Sequence, residues 1–322
     1  MKRLVRAALV LALGFAALFA FGPYEDSDLS VSFDPSVLAD GVARYFDAQE
    51  ARFDDITPGV EKQVIWAGAS ETKTDWAVLY LHGFSASSQE IRPVPEQVAE
   101  RLGANLILTR LAGHGRTGAA LAEARVQDWM QDTAEALAVA REIGDRVLVL
   151  SVSTGGTLAA AAAVDATLAK DVAGIVFISP NFGVNNPAAP LLTLPAARYW
   201  LPLLAGSERS FEPLNSGQAT YWTTRYPSVA ALPMAALVKA VTALDFSGAT
   251  VPALFWYVEQ DQVVRADVTA QVAGRWGGPA TTVHPDLGAN DDPFAHVIAG
   301  DILSPDQTEG TVAGILDWAQ GL

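Results

Sequence analysis

The chain has no cysteine among its 322 residues. No disulfide, no thiolate nucleophile and no cysteine-based zinc site can therefore form. The absence fits either redox compartment. Basic residues are also scarce: 21 Lys and Arg stand against 36 Asp and Glu, a formal charge of −15. With no basic patch to neutralise phosphates, nucleic acid is excluded as a partner. No metal-ligand cluster is visible. No phosphate loop is present either, because Gly113-His114-Gly115 lacks the lysine and the following helix of a nucleotide site. Neither a metal nor a cofactor is expected. There is no internal repeat, and nothing specifies an oligomer. What is present is a hydrophobic half and a charged fraction of only 18%, the composition of a folded chain with a large core.

The N-terminus carries an address. Met1-Lys2-Arg3-Leu4-Val5-Arg6 is cationic, and Ala7 to Phe21 is uncharged and apolar up to Gly22-Pro23. A cationic head followed by an apolar stretch is the pattern of a secretory signal. The stretch is short against the roughly 20 residues of a bilayer span. Leu4 and Val5 extend it if the arginine snorkels. No Ala-x-Ala site closes it, and Ala20-Phe21-Gly22 runs into Pro23. Residues 1–22 are therefore expected to be a retained signal anchor, with a cleaved signal peptide as the alternative. The basic residues come first, so the positive-inside rule leaves the rest of the chain on the non-cytoplasmic side: membrane-anchored, or secreted if the signal is cleaved. No polar residue interrupts the stretch to give an amphipathic face, which argues against a buried helix.

Residues 23–59 read as a linker, polar from about Tyr24 to Pro35, and an N-terminal extension. Beyond them strands and helices alternate. Val60 to Trp66, Trp76 to Leu81, Asn105 to Leu108, Gly174 to Ser179, Ala253 to Val258 and Ala280 to Val283 read as strands. Trp76-Ala77-Val78-Leu79-Tyr80-Leu81 is apolar throughout, as in a strand covered on both faces. Pro93 to Leu102 predicts a helix, as does Asp128 to Ile143, closed by Gly144. A terminal helix covers Thr311 to Gln320. Such alternation implies a mostly parallel sheet with helices on both faces.

One stretch breaks the pattern. Between Pro180 and Val251 lie about seventy residues without a clear strand, too long for an ordinary connection. Residues 181–250 read as an inserted helical cap, with a helical run from Val229 to Leu244. The core is then 60–180 plus 251–322. Most apolar residues of the insertion are expected simply to hold it down. Ligands in such folds bind beyond the carboxyl ends of the strands, so some should line a pocket.

The most informative residue is Ser153. The run Arg146-Val147-Leu148-Val149-Leu150-Ser151-Val152-Ser153-Thr154-Gly155-Gly156 is an apolar strand that stops at a small-residue turn. An Ala-rich helix is expected to follow, over Leu158 to Leu168. A strand turning sharply into a helix lifts a serine hydroxyl clear of the sheet. That hydroxyl is a poor nucleophile alone and needs a base, an acid to orient the base, and an oxyanion pocket. Asp261 lies in the loop after Leu254-Phe255-Trp256-Tyr257-Val258 and is the candidate acid. Glu259, at the strand end, is its rival. The previous strand ends in Ser179-Pro180-Asn181 and offers no carboxylate. Of four histidines, His82 is read as a loop brace and His114 as a shaper of its glycine-rich loop. His296 is the candidate base, in Asp291-Asp292-Pro293-Phe294-Ala295-His296-Val297 between the last strand and the terminal helix. His284, before Pro285, is the rival.

From about Val60 to its end the chain resembles the α/β-hydrolase superfamily, close to esterases and monoacylglycerol lipase-like members with a helical cap. The resemblance rests on Leu81-His82-Gly83-Phe84, Leu111-Ala112-Gly113-His114-Gly115, Ser151-Val152-Ser153-Thr154-Gly155, Asp261-Gln262-Val263-Val264 and His296. It implies an α/β-hydrolase fold and a triad in the order Ser153, Asp261, His296. It also implies oxyanion donors at the backbone N–H groups of Phe84 and Thr154. One departure is that Ser151 occupies the first glycine position of the usual Gly-x-Ser-x-Gly. A second is the β-branched Thr154 beside the nucleophile.

The resemblance implies a carboxylic ester hydrolase acting through an acyl-enzyme, on a small-molecule or lipid ester. A serine nucleophile disfavours dehalogenase and epoxide hydrolase chemistry. Aminopeptidase or amidase chemistry with the same triad is the alternative, for which the cap offers only Glu208 and Glu212. A catalytically silent ligand-binding domain is the third.

Overall fold

The computed structural model describes residues 2–322. Met1, the first residue of the expected signal segment, lies outside the described residues. The chain opens with α1 (Lys2–Phe21), α2 (Val42–Glu50), β1 (Gln63–Ile65), β2 (Thr74–Leu81), α3 (Val94–Leu102) and β3 (Asn105–Leu108). It continues with α4 (Gly118–Glu123), α5 (Val126–Ile143), β4 (Gly144–Val152), α6 (Thr154–Ala163) and β5 (Val172–Ile178). Then come α7 (Ala197–Ala205), β6 (Glu208–Ser210), α8 (Ser216–Tyr221), β7 (Arg225–Pro227) and α9 (Ala231–Thr242). The last part is β8 (Ala253–Trp256), α10 (Ala266–Gly274), β9 (Ala280–Val283) and α11 (Thr308–Ala319).

Seven strands form one sheet in the order β1-β3-β2-β4-β5-β8-β9. All neighbours are parallel except β1, which runs antiparallel to β3 at the edge. β4 sits at the centre, and its segment from Val147 to Val152 is buried. The two faces of the sheet support two separate cores. Trp129 of α5, Leu158 of α6 and Val241 of α9 pack on one face with Phe177 and Phe255. Val94 and Val98 of α3 and Val312 and Ile315 of α11 pack on the other with Tyr80, Leu148 and Val152. This is the mostly parallel sheet with helices on both faces that the alternation implies.

Several details differ from expectation. Gly144 is not a helix cap in a left-handed conformation; it is extended (φ −149°) and begins β4 directly. Its missing side chain makes room for Ala77, whose backbone nitrogen would lie 2.5 Å from an added Cβ. The Ala-rich helix starts and ends earlier than Leu158–Leu168, because α6 begins at Thr154 immediately after the elbow. The region 181–250 contains the helices α7, α8 and α9, and also a two-stranded antiparallel ribbon of β6 and β7. The N-terminal extension holds α2, whose Val42 and Phe46 are buried in the core.

α1 presents Val10, Leu13, Phe15, Phe19 and Phe21 to the exterior. Among the described residues no helix is long and apolar enough to cross a membrane. The uncharged part of α1 runs from Ala7 to Phe21. At about 1.5 Å per residue it extends roughly 22 Å, short of the ~30 Å hydrocarbon core. The expected anchor span thus finds no support in the fold. The exit from α1 is fastened to the insertion: the Ala196 N–H donates to the Pro23 carbonyl at 2.7 Å, and Arg198 at the start of α7 forks onto Glu25.

Candidate active site

The elbow between β4 and α6 is strained at one residue. Ser153 adopts φ +50°, ψ −114°, in a region that L-residues avoid. Its neighbours over-determine that conformation. The Ser153 N–H donates to the Ile178 carbonyl at 3.1 Å, and the Ser153 carbonyl accepts from Asn181 at 2.9 Å and Thr157 at 3.2 Å. Gly155 cannot carry a side chain: an added Cβ would lie 2.1 Å from the Leu81 carbonyl oxygen. Ser151 takes the usual glycine position without penalty, because its hydroxyl donates to the Val176 carbonyl at 2.8 Å. Thr154 packs fully buried at the first position of α6.

Three side chains distant in sequence meet here. Ser153 Oγ lies 3.1 Å from His296 Nε2. His296 Nδ1 lies 2.9 Å from Asp261 Oδ2. All three are buried. Asp261 Oδ1 accepts the Val263 and Val264 N–H groups at 2.8 Å each, which leaves Oδ2 for the imidazole. The acid loop is tied to the histidine loop, since Gln262 donates from its backbone to the Phe294 carbonyl at 3.0 Å and from its side chain to the Pro293 carbonyl at 2.9 Å. With Asp261 accepting at Nδ1, the neutral tautomer of His296 carries its proton there and turns the Nε2 lone pair to the serine.

Burial alone would lower the His296 pKa, but the carboxylates of Asp261, Glu90 and Asp292 outweigh it and raise it above 6.5. Asp292 also sets the backbone: its Oδ2 accepts the N–H groups of His296 and Val297. Sequence reasoning passed over Asp292 and Glu90. A loop carboxylate gives no local signal of the distant backbone amide it accepts.

The rival residues stand elsewhere. Glu259 is exposed. His284 holds the Tyr257 carbonyl through Nδ1 at 2.8 Å, with its ring edge-on to Tyr257. His82 is fully buried and braces two loops: Nε2 accepts the Leu111 N–H at 3.1 Å, and Nδ1 lies 2.9 Å from the Gly83 carbonyl. Burial pushes its pKa down to about 4, so it stays neutral. His114 packs edge-on against His82 and against Phe84. In the cap, Glu208 is exposed and lies 3.7 Å from Arg225, and Glu212 is exposed too.

The Phe84 ring is held between His114, Trp129 and Tyr226, which fixes the loop after β2. Among the described residues, neither the Phe84 nor the Thr154 N–H donates a backbone hydrogen bond. The cap reaches this loop: the Thr223 N–H donates to the Ser85 carbonyl at 2.7 Å. Met234 Sδ of α9 lies 3.3 Å from Asn181 Nδ2, and Asn181 in turn bonds the elbow through its N–H to the Ser153 carbonyl. Among the described residues, no group of three or more His, Asp or Glu side chains is arranged to hold a metal.

Residues 72–285 match the model of the family described as serine aminopeptidase, S33. The chain belongs to that family. It is a serine hydrolase of the α/β-hydrolase fold. No curated protein matches it. Among solved structures it is similar to one described under LipS and LipT, two metagenome-derived lipolytic enzymes. The likeness has TM-score 0.66 and 22% identity, over 83% of this chain and 100% of that one. It is also similar to the monoacylglycerol lipase of Paleococcus ferrophilus, with TM-score 0.54 and 14% identity over 80% and 98% of the two chains. A soluble variant of the monoglyceride lipase of Saccharomyces cerevisiae, bound to a substrate analog, gives TM-score 0.57 and 9% identity over 81% and 90%. At these identities the likeness is one of fold.

Proposed function

We propose that the protein hydrolyses carboxylic esters of small-molecule or lipid type through an acyl-enzyme on Ser153. The observation that carries this reading is the continuous hydrogen-bonded chain from Ser153 Oγ through His296 to Asp261, set on a strained elbow. His296 Nε2 takes the hydroxyl proton as Ser153 Oγ bonds to the ester carbonyl carbon. Asp261 steadies the imidazolium, and the free N–H groups of Phe84 and Thr154 receive the oxyanion, each worth about 3 kcal/mol. The tetrahedral adduct collapses, the C–O bond to the alcohol breaks, and His296 returns its proton to the leaving oxygen. Water, activated by the same imidazole, then cleaves the acyl-enzyme. The lipolytic and monoacylglycerol lipase descriptions of the structural neighbours agree with an ester substrate.

The test is purified Ser153→Ala protein against p-nitrophenyl esters, beside fluorophosphonate labelling of the wild type with mapping of the modified residue. Undiminished ester hydrolysis by the variant would sink the proposal. Folded protein that takes no label would favour a silent binding domain.

The family description favours a second reading, an aminopeptidase or amidase with the same triad. Against it, Glu208 and Glu212 are exposed, with Glu208 near Arg225, so neither is poised to hold a substrate amine. Parallel rates on aminoacyl anilides and short-chain esters separate the two.

Localisation outside the cytoplasm with attachment to a membrane completes the proposal. It rests on the cationic, then apolar N-terminus and on the exposed Tyr199, Leu203 and Leu204 of α7, next to the point where α1 is fastened. Leu203 and Leu204 are about four-fifths exposed (83% and 79%), an unusual burden for a water-facing helix. Since α1 falls short of a span, attachment along the lipid surface fits better than crossing it. Fractionation of full-length protein and of protein lacking residues 1–22 is the check. Equal partition into the soluble fraction would count against attachment.

A further inference from the structure

Glu90 is a buried carboxylate at the site with no part in the mechanism above. It is only 2% exposed, in the loop that joins β2 to α3. Its Oε2 accepts the Gly83 backbone N–H at 2.7 Å and the Tyr80 hydroxyl at 3.0 Å. Oε1 has no protein donor among the described residues. Gly83 separates this oxygen from the nucleophile. A Cβ built on Gly83 would lie 2.7 Å from Glu90 Oε1 and 3.2 Å from Ser153 Cβ. Carboxylate and nucleophile thus flank one residue that has no side chain to keep them apart.

Among the described residues no Lys or Arg pairs with this carboxylate. Arg92, two residues on, pairs with Glu96, and Arg110 pairs with Glu50. A protonated His296 favours the charged form of Glu90, and Glu90 in turn favours the protonated form of His296. A buried carboxylate without a standing partner is costly to a fold. Its counter-charge is the imidazolium of His296, which the proposed mechanism forms while His296 holds the serine's proton.

We propose that Glu90 is a positioning residue of the active site: its charge supports the imidazolium of His296, and its bond to Gly83 sets the turn that presents the Phe84 N–H. The inference rests on the reading of Ser153, Asp261 and His296 as the catalytic triad. The groups facing the pair are few. Tyr80 and His82 come from β2 and its end, the Arg92–Glu96 pair from the start of α3, Asp261 from the loop after β8, and Asp292 from the histidine loop. Tyr80 and His82 are held neutral by burial. Burial pushes Glu90 itself up to about 7, and the charged forms of Glu90 and His296 favour one another.

The experiment starts from wild-type protein labelled on Ser153 by a fluorophosphonate. Absence of label there defeats the triad reading and this inference with it, whereas the variants below test this inference alone. With labelling established, Glu90→Gln is compared with Tyr80→Phe. Glutamine keeps an acceptor for the Gly83 N–H but removes the charge. The expected result is a kcat lower by about tenfold, with KM little changed. The acid limb of the pH profile should move about one unit lower, the shift equivalent to that factor. Because the variant removes an unpaired buried charge, it should melt at or above the wild-type temperature. Tyr80→Phe, which keeps the carboxyl group and removes one hydrogen bond to it, should move the acid limb less than Glu90→Gln does. An acid limb unmoved in Glu90→Gln, an equal shift in Tyr80→Phe, or a Glu90→Gln protein that does not fold would each overturn the proposal.

Discussion

Asp292 Oδ2 accepts the backbone N–H of His296 at 3.1 Å and that of Val297 at 2.9 Å, while its Oδ1 accepts Phe294 at 3.0 Å. One carboxylate therefore fixes three amides around the residue that faces Ser153. Ala295 sits at φ +54° within this turn, a conformation the turn needs those bonds to hold. Asp292→Ala strands buried N–H groups and should lower stability by about 1–3 kcal/mol. The imidazole should drift, and misplacement by an ångström costs about a hundredfold in rate. Thermal melts and kcat/KM on a p-nitrophenyl ester measure both. Wild-type activity in a destabilised variant would show that Asp292 serves the fold alone.

The pH profile of wild-type activity follows from the same loop. In the proposed mechanism His296 must be neutral to accept the serine's proton, and neighbouring carboxylates raise its pKa above 6.5. Activity should therefore fall with decreasing pH, with an acid-limb midpoint above 6.5. The stability contribution has the opposite sense. A raised histidine pKa stabilises the fold fully below the unfolded value and ceases to do so as pH rises through the folded one. The logarithm of kcat/KM against pH locates the midpoint; a value at or below 6.5 contradicts the electrostatics.

Ser151→Gly restores the more usual elbow residue, yet it should be the worse one here. It removes the hydroxyl bonded to the Val176 carbonyl and adds backbone freedom inside β4. Together these cost about 1–2 kcal/mol. Activity at a temperature where both proteins are folded should be unchanged, since Ser151 does not touch His296 or Asp261. Melting curves beside rate measurements decide it, and a gain in stability would count against this account of the serine.

What could be read from the sequence follows physical lines. β4 and β2 were visible because burial on both faces demands unbroken apolar runs. Ser153, Asp261 and His296 stood out because each lies just past such a strand or between an edge strand and a helix. The ribbon of β6 and β7 left no trace, because Glu208-Arg209-Ser210 is exposed and has no apolar alternation. Gly144 looked like a helix end, yet its reason is the approach of Ala77 from a neighbouring strand, a contact that sequence spacing cannot express. Asp292 and Glu90 were passed over for a related cause: each acts through backbone amides whose position is known only once the chain is folded. α2 is a different kind of miss, since Val42 and Phe46 stand four apart and did signal a buried face.

The N-terminal extension is pinned by one lysine. Lys62 Nζ lies 2.8 Å from Asp132 Oδ1 and 2.6 Å from Glu135 Oε1, with little exposure on any of the three side chains. Glu135 also accepts the Tyr45 hydroxyl of α2 at 2.8 Å, and Asp132 accepts the Ala112 N–H at 2.6 Å. Burial opposes the ammonium charge, but the two carboxylates prevail and hold it protonated. Lys62→Met leaves both acids without a cation and should cost about 3–5 kcal/mol. Denaturant unfolding checks the size; a loss under about 1 kcal/mol, the range of exposed pairs, would mean the network is solvated in solution.

Gly118 packs against the ribbon strand that supports the loop after β2. An added Cβ there would lie 2.2 Å from the Arg225 carbonyl oxygen and 2.9 Å from the Tyr226 Cα. Both neighbours are backbone and cannot swing aside. The Tyr226 ring in turn rests edge-on against Phe84, at 5.6 Å between centroids. Gly118→Ala should therefore push β7 outward, cost about 1–3 kcal/mol as an overpacked contact, and loosen the support behind the Phe84 amide. If that amide receives the oxyanion, the loss should appear in kcat more than in KM, since the bond strengthens only as charge develops on the oxygen. A variant that loses stability yet keeps its kcat would show that the ribbon and the Phe84 amide are mechanically independent.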